Sequence, residues 1–399
     1  MPVVTFAAVL SAMAAAWWTC SIAVLLLSFL AALAYPLHKL PSNAPANFPP
    51  LTAIVPIKNL HAGFVEALSS LFMQDYDGLE IIIAAAERES PAIDAARRIQ
   101  TAFPSVSSRT IHSVCATAAS PKLNNLWPAL VAANNDLVLT KDSNLCLGNG
   151  DLQELVRHLA PGTGLVSSIS IATHPGSFAA WIEASIINCY HARVLMLADA
   201  AGFGFGLGKI MLFRRSDLIR AGGFDRLAWA LGEDQALANA IAGLGLRTVL
   251  AGRVSHQALG SRRFFETWQR QLRWMIIWRV QLPAAYFGDL LGSAIPTAVA
   301  GALAARAAGF APMHVAAATL AVWLCLESFQ CFAKGWPISL LSPFAFLARE
   351  ILTPLLWLRA WTTAEVAWAG TVYSAARKSN NLRPPHPDAR RITTRDTEK

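Results

Sequence analysis

Charge is scarce in this chain. Of its 399 residues, 15% are charged and 54% are hydrophobic, and the mean hydropathy is +0.41. An ordinary soluble protein is more polar, so part of the chain is expected to lie in lipid. The shortage is uneven, because residues 3–35 carry no charge at all. Apolar stretches gather at the two ends and leave a mixed segment between them.

Several other patterns are missing. The six cysteines show no C-x-x-C spacing, so neither a disulfide framework nor a zinc site is expected. The glycine-rich run 201–208 does not match the phosphate-binding pattern G-x-x-x-x-G-K-[ST]. It fits a flexible lid or a bend where two backbones approach closely. An inverted hydropathy repeat is also lacking, which argues against a transporter.

The N-terminal apolar stretch predicts a membrane anchor over residues 1–38, with a helix at about Phe6–Ala34. A signal peptide is the alternative, but the run is too long and has no basic segment before it. His38 and Lys39 follow the helix and place the next domain in the cytoplasm by the positive-inside rule.

The C-terminal third predicts a membrane region over 286–376. Its first part reads as a helical hairpin of 290–305 and 311–332. Residues 338–360 hold the pair Arg349-Glu350 and two prolines, so they favour an interfacial or re-entrant helix. Residues 377–399 are basic and read as a disordered cytoplasmic tail. Because the net charge of +8 comes from bases that flank membrane segments, nucleic-acid binding is not expected.

The middle domain, residues 39–285, alternates apolar strands with helices. Strands are predicted at 51–56, 79–84 and 136–140, with helical patterns between and after them. This spacing indicates an α/β domain built on a parallel sheet. Ligands on such sheets bind at the carboxyl ends of the strands.

Acidic residues stand at two suitable points of this domain. Asp142 directly follows the third strand, where one carboxylate is enough to hold Mg²⁺ or Mn²⁺ on a diphosphate, although the same sequence also makes an ordinary turn. Glu233 and Asp234 open a helix, where they either complement the helix dipole or supply a general base.

A basic helix precedes the C-terminal membrane region. Arg270 and Arg273 share one face, and Trp274 lies beside them. Arginine forks suit a phosphate ester, and they equally suit anionic lipid headgroups. The carboxylates upstream favour the first interpretation.

These motifs in this order resemble the ceramide glucosyltransferase-like family of inverting glycosyltransferases, which have the GT-A (Rossmann-like) fold and include bacterial ceramide and hopanoid glycosyltransferases. The resemblance covers about residues 51–370. It is carried by Pro91-Ala-Ile-Asp94, Pro121-Lys-Leu-Asn-Asn-Leu126, Asp142-Ser143, Glu233-Asp234, Arg270-x-x-Arg273-Trp274 and Arg349-Glu350. Two positions depart from the family pattern: Ala86-Glu87 replaces the first acidic pair, and Gln235 stands where many relatives carry Tyr.

The resemblance implies a membrane-bound hexosyltransferase that uses a UDP-sugar, UDP-glucose first, and Mg²⁺ or Mn²⁺. Asp234 is the implied base, assisted by Glu233, Arg270, Arg273 and Trp274. Asp142 is the implied metal ligand, and His191 is a candidate on the acceptor side. The implied nucleotide-sugar site comprises Pro56, Lys58, Glu87, Lys122, Asn125 and Asp142.

A catalytic domain held to the membrane at both ends predicts a lipid acceptor, since a soluble acceptor would not need this arrangement. Ceramide is expected first and a hopanoid second. The expected location is a membrane, as a multi-pass protein of a bacterial inner membrane. A polysaccharide synthase shares the motifs but needs more spans. A catalytically degenerate membrane scaffold is the alternative outside enzymes.

Overall fold

The structure, a computed structural model, describes residues 6–35, 48–113, 118, 120–230 and 232–363, and the backbone of 365–368 and 371–374. The predicted tail 377–399 and the bases His38 and Lys39 lie outside these residues.

The described strands are short. They are β1 Leu51–Ile57, β2 Leu79–Ala85, β3 Ser107–His112, β4 Leu137–Lys141, β5 Leu145–Cys146, β6 Thr163–Ser167, β7 Ser170–Pro175, β8 Ile210–Arg214, β9 Arg247–Leu250, β10 Ser255–Gly260, β11 Glu365–Trp368 and β12 Thr371–Ser374. Strands β1 to β10 lie in the middle domain, and β11 and β12 pair with each other after the last described helix.

Helices alternate with these strands and then dominate the C-terminal third. They are α1 Phe6–Ala34, α2 Phe64–Phe72, α3 Pro91–Ala102, α4 Pro121–Ala132, α5 Asp151–His158, α6 Phe178–Ser185, α7 Arg193–Ala200, α8 Arg215–Arg220, α9 Gly223–Leu227, α10 Glu233–Ala242, α11 Phe264–Gln281, α12 Pro283–Gly288, α13 Ala294–Ala307, α14 Pro312–Lys334 and α15 Ser342–Thr362, with a π-helical turn at Ile186–Ala192 and a 3-10 turn at Asp289–Gly292.

The central sheet has the strand order β3-β2-β1-β4-β8-β6-β9. Strands β1 to β4 pair in parallel, as the alternation of strands and helices predicts. Strand β8, for which the sequence predicts no direction, runs antiparallel to both β4 and β6. It enters from the glycine-rich run at the same edge where β4 ends, so it returns through the sheet in the opposite direction.

Apolar side chains cover both faces of this sheet. One face packs against α2, α3 and α5 and the other against α4, α8 and α10. The α/β layering predicted from the sequence is confirmed. A second sheet of order β5-β10-β7 packs beside the carboxyl end of β4 and against α6 and the π-helical turn.

Two of the helices that the structure describes are long and apolar enough to cross a membrane, α1 and α14. The segment from Tyr286 through α13 would form a third span only as a pair of helices bent by 72°. Helix α13 packs against both α1 and α14, so the predicted hairpin forms a bundle with the N-terminal helix. Helix α15 packs against α6 and α11 of the middle domain.

The charged pair Arg349-Glu350 of α15 is buried and fully engaged. Arg349 lies 2.8 Å from Glu327 of α14, and Glu350 accepts a hydrogen bond from the hydroxyl of Ser293 at 2.7 Å. Arg349 also donates to the backbone carbonyl of Ser185 at 3.3 Å. Buried charges are tolerated only when they are paired in this way. The pair therefore joins α14 and the start of α13 to α6 of the middle domain.

Candidate active site

The carboxyl ends of β1 and β2 carry the residues predicted to face a nucleotide. Pro56 pairs in register with Ala84 near these ends. Lys58 and Glu87 follow directly and are both exposed. Asn125 has a different role, because it is buried and its amide donates to the carbonyl of Ile57 at 3.4 Å. It holds α4 against the end of β1.

A lysine joins the two acidic motifs. Lys122, at the start of α4, lies 2.7 Å from Asp142 and 3.4 Å from Glu233, and it also donates to the carbonyl of Gly208. Burial lowers the pKa of Lys122, but the two carboxylates more than offset this and leave its pKa raised. The hydroxyl of Ser120 donates to the second oxygen of Glu233 at 3.1 Å. The structure thus brings Asp142, at the end of β4, and Glu233, at the start of α10, together around Lys122. These two carboxylates are called the acidic cluster below.

Asp234 is held by backbone amides. One carboxylate oxygen accepts the N–H of Gly208 at 3.0 Å and the other accepts the N–H of Gln235 at 2.8 Å. Burial and the neighbouring charge of Glu233 raise the pKa of Asp234 from 3.8 to about 6, against the lowering effect of these amides and of Lys122. A carboxylate of this pKa is largely ionised at neutral pH and is a stronger base than an ordinary Asp, which suits proton abstraction.

The glycine-rich run is a point of close backbone approach. A Cβ on Gly206 would lie 2.0 Å from the carbonyl oxygen of Asp234, and one on Gly208 would lie 2.8 Å from its carboxylate. A Cβ on Gly204 would lie 1.8 Å from the carbonyl oxygen of Thr248. Of the two alternatives given by the sequence, the structure favours the close approach, because only glycine lets this run press against Asp234.

Helix α11 carries the Arg-x-x-Arg-Trp motif and is called the arginine helix below. Its Arg270 shares a buried counter-ion with Arg262, which lies just before the helix. Glu183 on α6 has no exposed surface and lies 3.2 Å from Arg270 and 3.2 Å from Arg262. Arg273 is protonated at neutral pH even though burial and Arg270 lower its pKa to about 10. Asp142 and Glu233 act on Arg273 electrostatically, so this helix faces the acidic cluster.

Trp274 is the centre of a group of packed cationic and aromatic side chains. Its ring centroid lies 5.9 Å from the guanidinium of Arg270 and 5.4 Å from the ammonium of Lys209. The ring of His191 lies 5.6 Å from Trp274 and 5.2 Å from Trp278. Burial lowers the pKa of His191 to about 3, so its imidazole is neutral. The predicted candidate His191 therefore does lie against the arginine helix, as a neutral ring between two indoles.

The acidic cluster fits a divalent cation of one particular kind. Among the described residues, no group of three or more His, Cys, Asp or Glu side chains is arranged to hold a metal. Asp142 is 31% exposed and has one oxygen on Lys122. Magnesium commonly binds through one or two carboxylates and completes its shell with substrate phosphates and water. The residues present fit a metal that arrives with a diphosphate and do not fit a site built from protein ligands alone.

Three polar residues of the site were not singled out from the sequence. Glu183 and Lys209 are described above, and His61, after β1, lies 3.0 Å from the hydroxyl of Ser143 through its ring nitrogen. Glu183 lies 87 residues before Arg270 in the chain, and no local pattern links them. The one signal that could have found Glu183 is that it is the only acidic residue in the largely apolar stretch 178–192 of the sequence.

The mixed α/β sheet carries carboxylates at its strand ends, beside a helix with two arginines and a tryptophan, and it has the GT-A fold of glycosyltransferases. A solved mannosyltransferase from Pyrobaculum calidifontis, in complex with GDP-mannose and Mn²⁺, has the same fold, with a TM-score of 0.54 and 22% identity over 86% of this chain and 99% of that one.

The chain belongs to glycosyl transferase family 21, whose family model matches residues 5–380. Two similar proteins from Caenorhabditis elegans are ceramide glucosyltransferase 1, with 21% identity over 80% of this chain and 70% of that protein, and ceramide glucosyltransferase 3, with 20% identity over 85% and 75%. The predicted family and fold are confirmed.

Proposed function

We propose that this glycosyltransferase moves a hexose from a UDP-sugar, UDP-glucose first, to the hydroxyl of a membrane lipid, ceramide first, and forms a β-glycosylceramide. The observation that carries the proposal is the position of Asp234. A half-buried carboxylate with a raised pKa stands at the start of α10, and Gln281 at the end of α11 donates to the carbonyl of Gly232 at 2.9 Å. The base is thus tied to the arginine helix, which packs on the membrane-proximal helix α15.

The proposed reaction is a single displacement. Asp234 accepts the proton of the acceptor hydroxyl while the hydroxyl oxygen forms a bond to the anomeric carbon, and the bond to the diphosphate oxygen breaks on the opposite face. Inversion turns an α-linked donor into a β-glycoside. A divalent cation held at Asp142 would neutralise charge on the departing UDP. Arg270 and Arg273 supply positive charge on the other side of the cleft, where preorganised charge stabilises the transition state.

The lipid acceptor is supported by the membrane helices and by the named activity of the two nematode relatives. Helix α15 packs on α11 and also contacts α13 and α14 of the hairpin. An acceptor that enters along these helices would bring its hydroxyl to Asp234 while its chains remain in the bilayer. We place the catalytic domain on the cytoplasmic side of a bacterial inner membrane, since that compartment supplies UDP-sugars.

The test uses the full-length protein in lipid nanodiscs with Mg²⁺ or Mn²⁺. Each of UDP-glucose, UDP-galactose and UDP-N-acetylglucosamine is offered with ceramide or with a hopanoid polyol, and the lipid fraction is analysed by mass spectrometry. Hexosylceramide from UDP-glucose is the expected product. A glycosylated hopanoid as the sole product would show that the acceptor is a hopanoid and not ceramide. UDP binding without turnover on any lipid would favour a scaffold, and a long polymer would favour a polysaccharide synthase.

A further inference from the structure

Lys209 connects three parts of the site. It directly precedes β8, and its carbonyl accepts the N–H of Asp142 at 2.8 Å. Its ammonium donates to the side-chain oxygen of Gln257 on β10 at 2.8 Å and lies 5.4 Å from the ring centroid of Trp274 on α11. One side chain thus spans the space between the acidic cluster and the arginine helix.

Lys209 differs from the neighbouring cationic side chains Lys122 and Arg270, because no carboxylate of the described residues pairs with it. Lys122 has the carboxylates of Asp142 and Glu233, and Arg270 shares Glu183 with Arg262. Within the described part of the chain, no carboxylate oxygen lies within 4.0 Å of the Lys209 ammonium, whose partners there are a neutral amide and an indole ring. The Lys209 side chain is half-buried, and withdrawing an ammonium from water without giving it an anionic partner costs free energy. An anion that the protein itself does not provide would remove this cost.

We infer that Lys209 is a ligand of the donor's diphosphate, which would lie between Asp142 and Arg270. This inference rests on the proposed function. The Lys209 ammonium and the Arg270 guanidinium lie 5.4 and 5.9 Å from the centroid of the same Trp274 ring, and the carbonyl of Lys209 accepts the N–H of Asp142. A diphosphate held between Asp142 and Arg270 would therefore lie beside this ammonium. A lysine binds phosphate as a compact charge and needs no bidentate geometry, which suits this narrow position.

The inference separates Lys209 from a lysine that only stabilises the fold. Replacing a structural lysine by a neutral residue lowers the melting temperature of the ligand-free protein. Replacing an ammonium whose anionic partner is a bound ligand leaves the melting temperature of the ligand-free protein unchanged or raises it. It also removes the rise in melting temperature that the ligand gives. Lys209→Gln keeps a hydrogen-bond donor for Gln257 while it removes the charge.

The experiment measures the thermal unfolding of the full-length protein in detergent and its affinity for UDP with Mg²⁺. The variants are Lys209→Gln, Lys209→Met and Lys209→Arg, with Arg253→Gln as the matched control. Arg253 is 55% exposed and pairs with Asp151 at 3.4 Å, away from the cleft. We expect the two neutral variants to unfold no earlier than the wild type and to bind UDP at least about tenfold more weakly, which corresponds to about 1.4 kcal/mol. Lys209→Arg should recover most of the affinity.

Two results would overturn the assignment. One is UDP affinity within twofold of the wild type in both neutral variants. The other is a loss that appears with UDP-glucose and not with UDP, which would place the ammonium against the sugar. A wild-type protein that does not bind UDP would refute the UDP donor instead. The same variants are therefore also titrated with inorganic pyrophosphate, which tests Lys209 independently of the nucleotide.

Discussion

The substitution Glu233→Gln tests why Asp234 can act as a base. The difference between 3.8 and about 6 in the pKa of Asp234 corresponds to about 3 kcal/mol against its ionised form. Burial is the larger cause and the charge of Glu233 the second. Because Asp234 accepts a proton only when ionised, activity should rise with pH through about 6 and be lost below it. Glutamine can still accept the hydrogen bond from Ser120, but it removes the negative charge that raises the pKa of Asp234. The acid limb of the pH–activity profile, where activity falls as the pH is lowered, should therefore move down by about one pH unit or less.

The assay is kcat/KM for lipid glycosylation between pH 4.5 and 8 in a buffer series of constant ionic strength. The control is Glu266→Gln, which makes the same change at a carboxylate that is 45% exposed and pairs with Arg263. It should leave the acid limb in place. An acid limb that does not move in Glu233→Gln, or a wild-type profile that is flat through pH 6, would refute this account of the base.

Three further predictions concern the surroundings of Asp234. Gly206→Ala should displace Asp234, because the new Cβ would lie 2.0 Å from the backbone oxygen of that residue. The variant should lose about 1–3 kcal/mol of unfolding free energy and most of its activity. Gly288→Ala, whose Cβ would meet nothing within 4 Å, should have little effect in the same thermal and kinetic assays. Asp142→Ala should abolish the gain in UDP affinity that Mn²⁺ gives, and a gain equal to that of the wild type would exclude this ligand. Glu183→Gln should destabilise the fold by about 3 kcal/mol and raise the donor KM more than it lowers kcat, because Arg270 loses its buried counter-ion; unchanged thermal unfolding and an unchanged KM would contradict this role.

Local sequence patterns predict much of the fold. The strands β1, β2 and β4 are short apolar runs, and each was predicted within one or two residues of its bounds. The edge strand β3 reads Ser-Ser-Arg-Thr-Ile-His and is largely exposed, so its pattern did not distinguish it from a loop. The antiparallel direction of β8 depends on where the glycine-rich run lies against α10, which no local pattern encodes.

The site divides in the same way. The residues within short motifs, Asp142, Asp234 and Arg270, are predicted from the sequence. The partners of Glu183 and Lys209, which are Arg270 and Gln257, lie 87 and 48 residues away in the chain. Glu183 is fully buried and Lys209 is half-buried, and burial of a polar side chain follows from tertiary packing rather than from its neighbours in the chain.

The most direct test of the central claim is the anomeric configuration of the sugar on the lipid product. The wild-type protein, UDP-glucose and ceramide should give a product whose anomeric proton has the large coupling of a β-glucoside in NMR. Asp234→Asn, with wild-type UDP affinity, should reduce the rate by about 10²–10⁴. An α-linked product, or an Asp234→Asn variant as active as the wild type, would contradict the inverting mechanism and the role of this carboxylate.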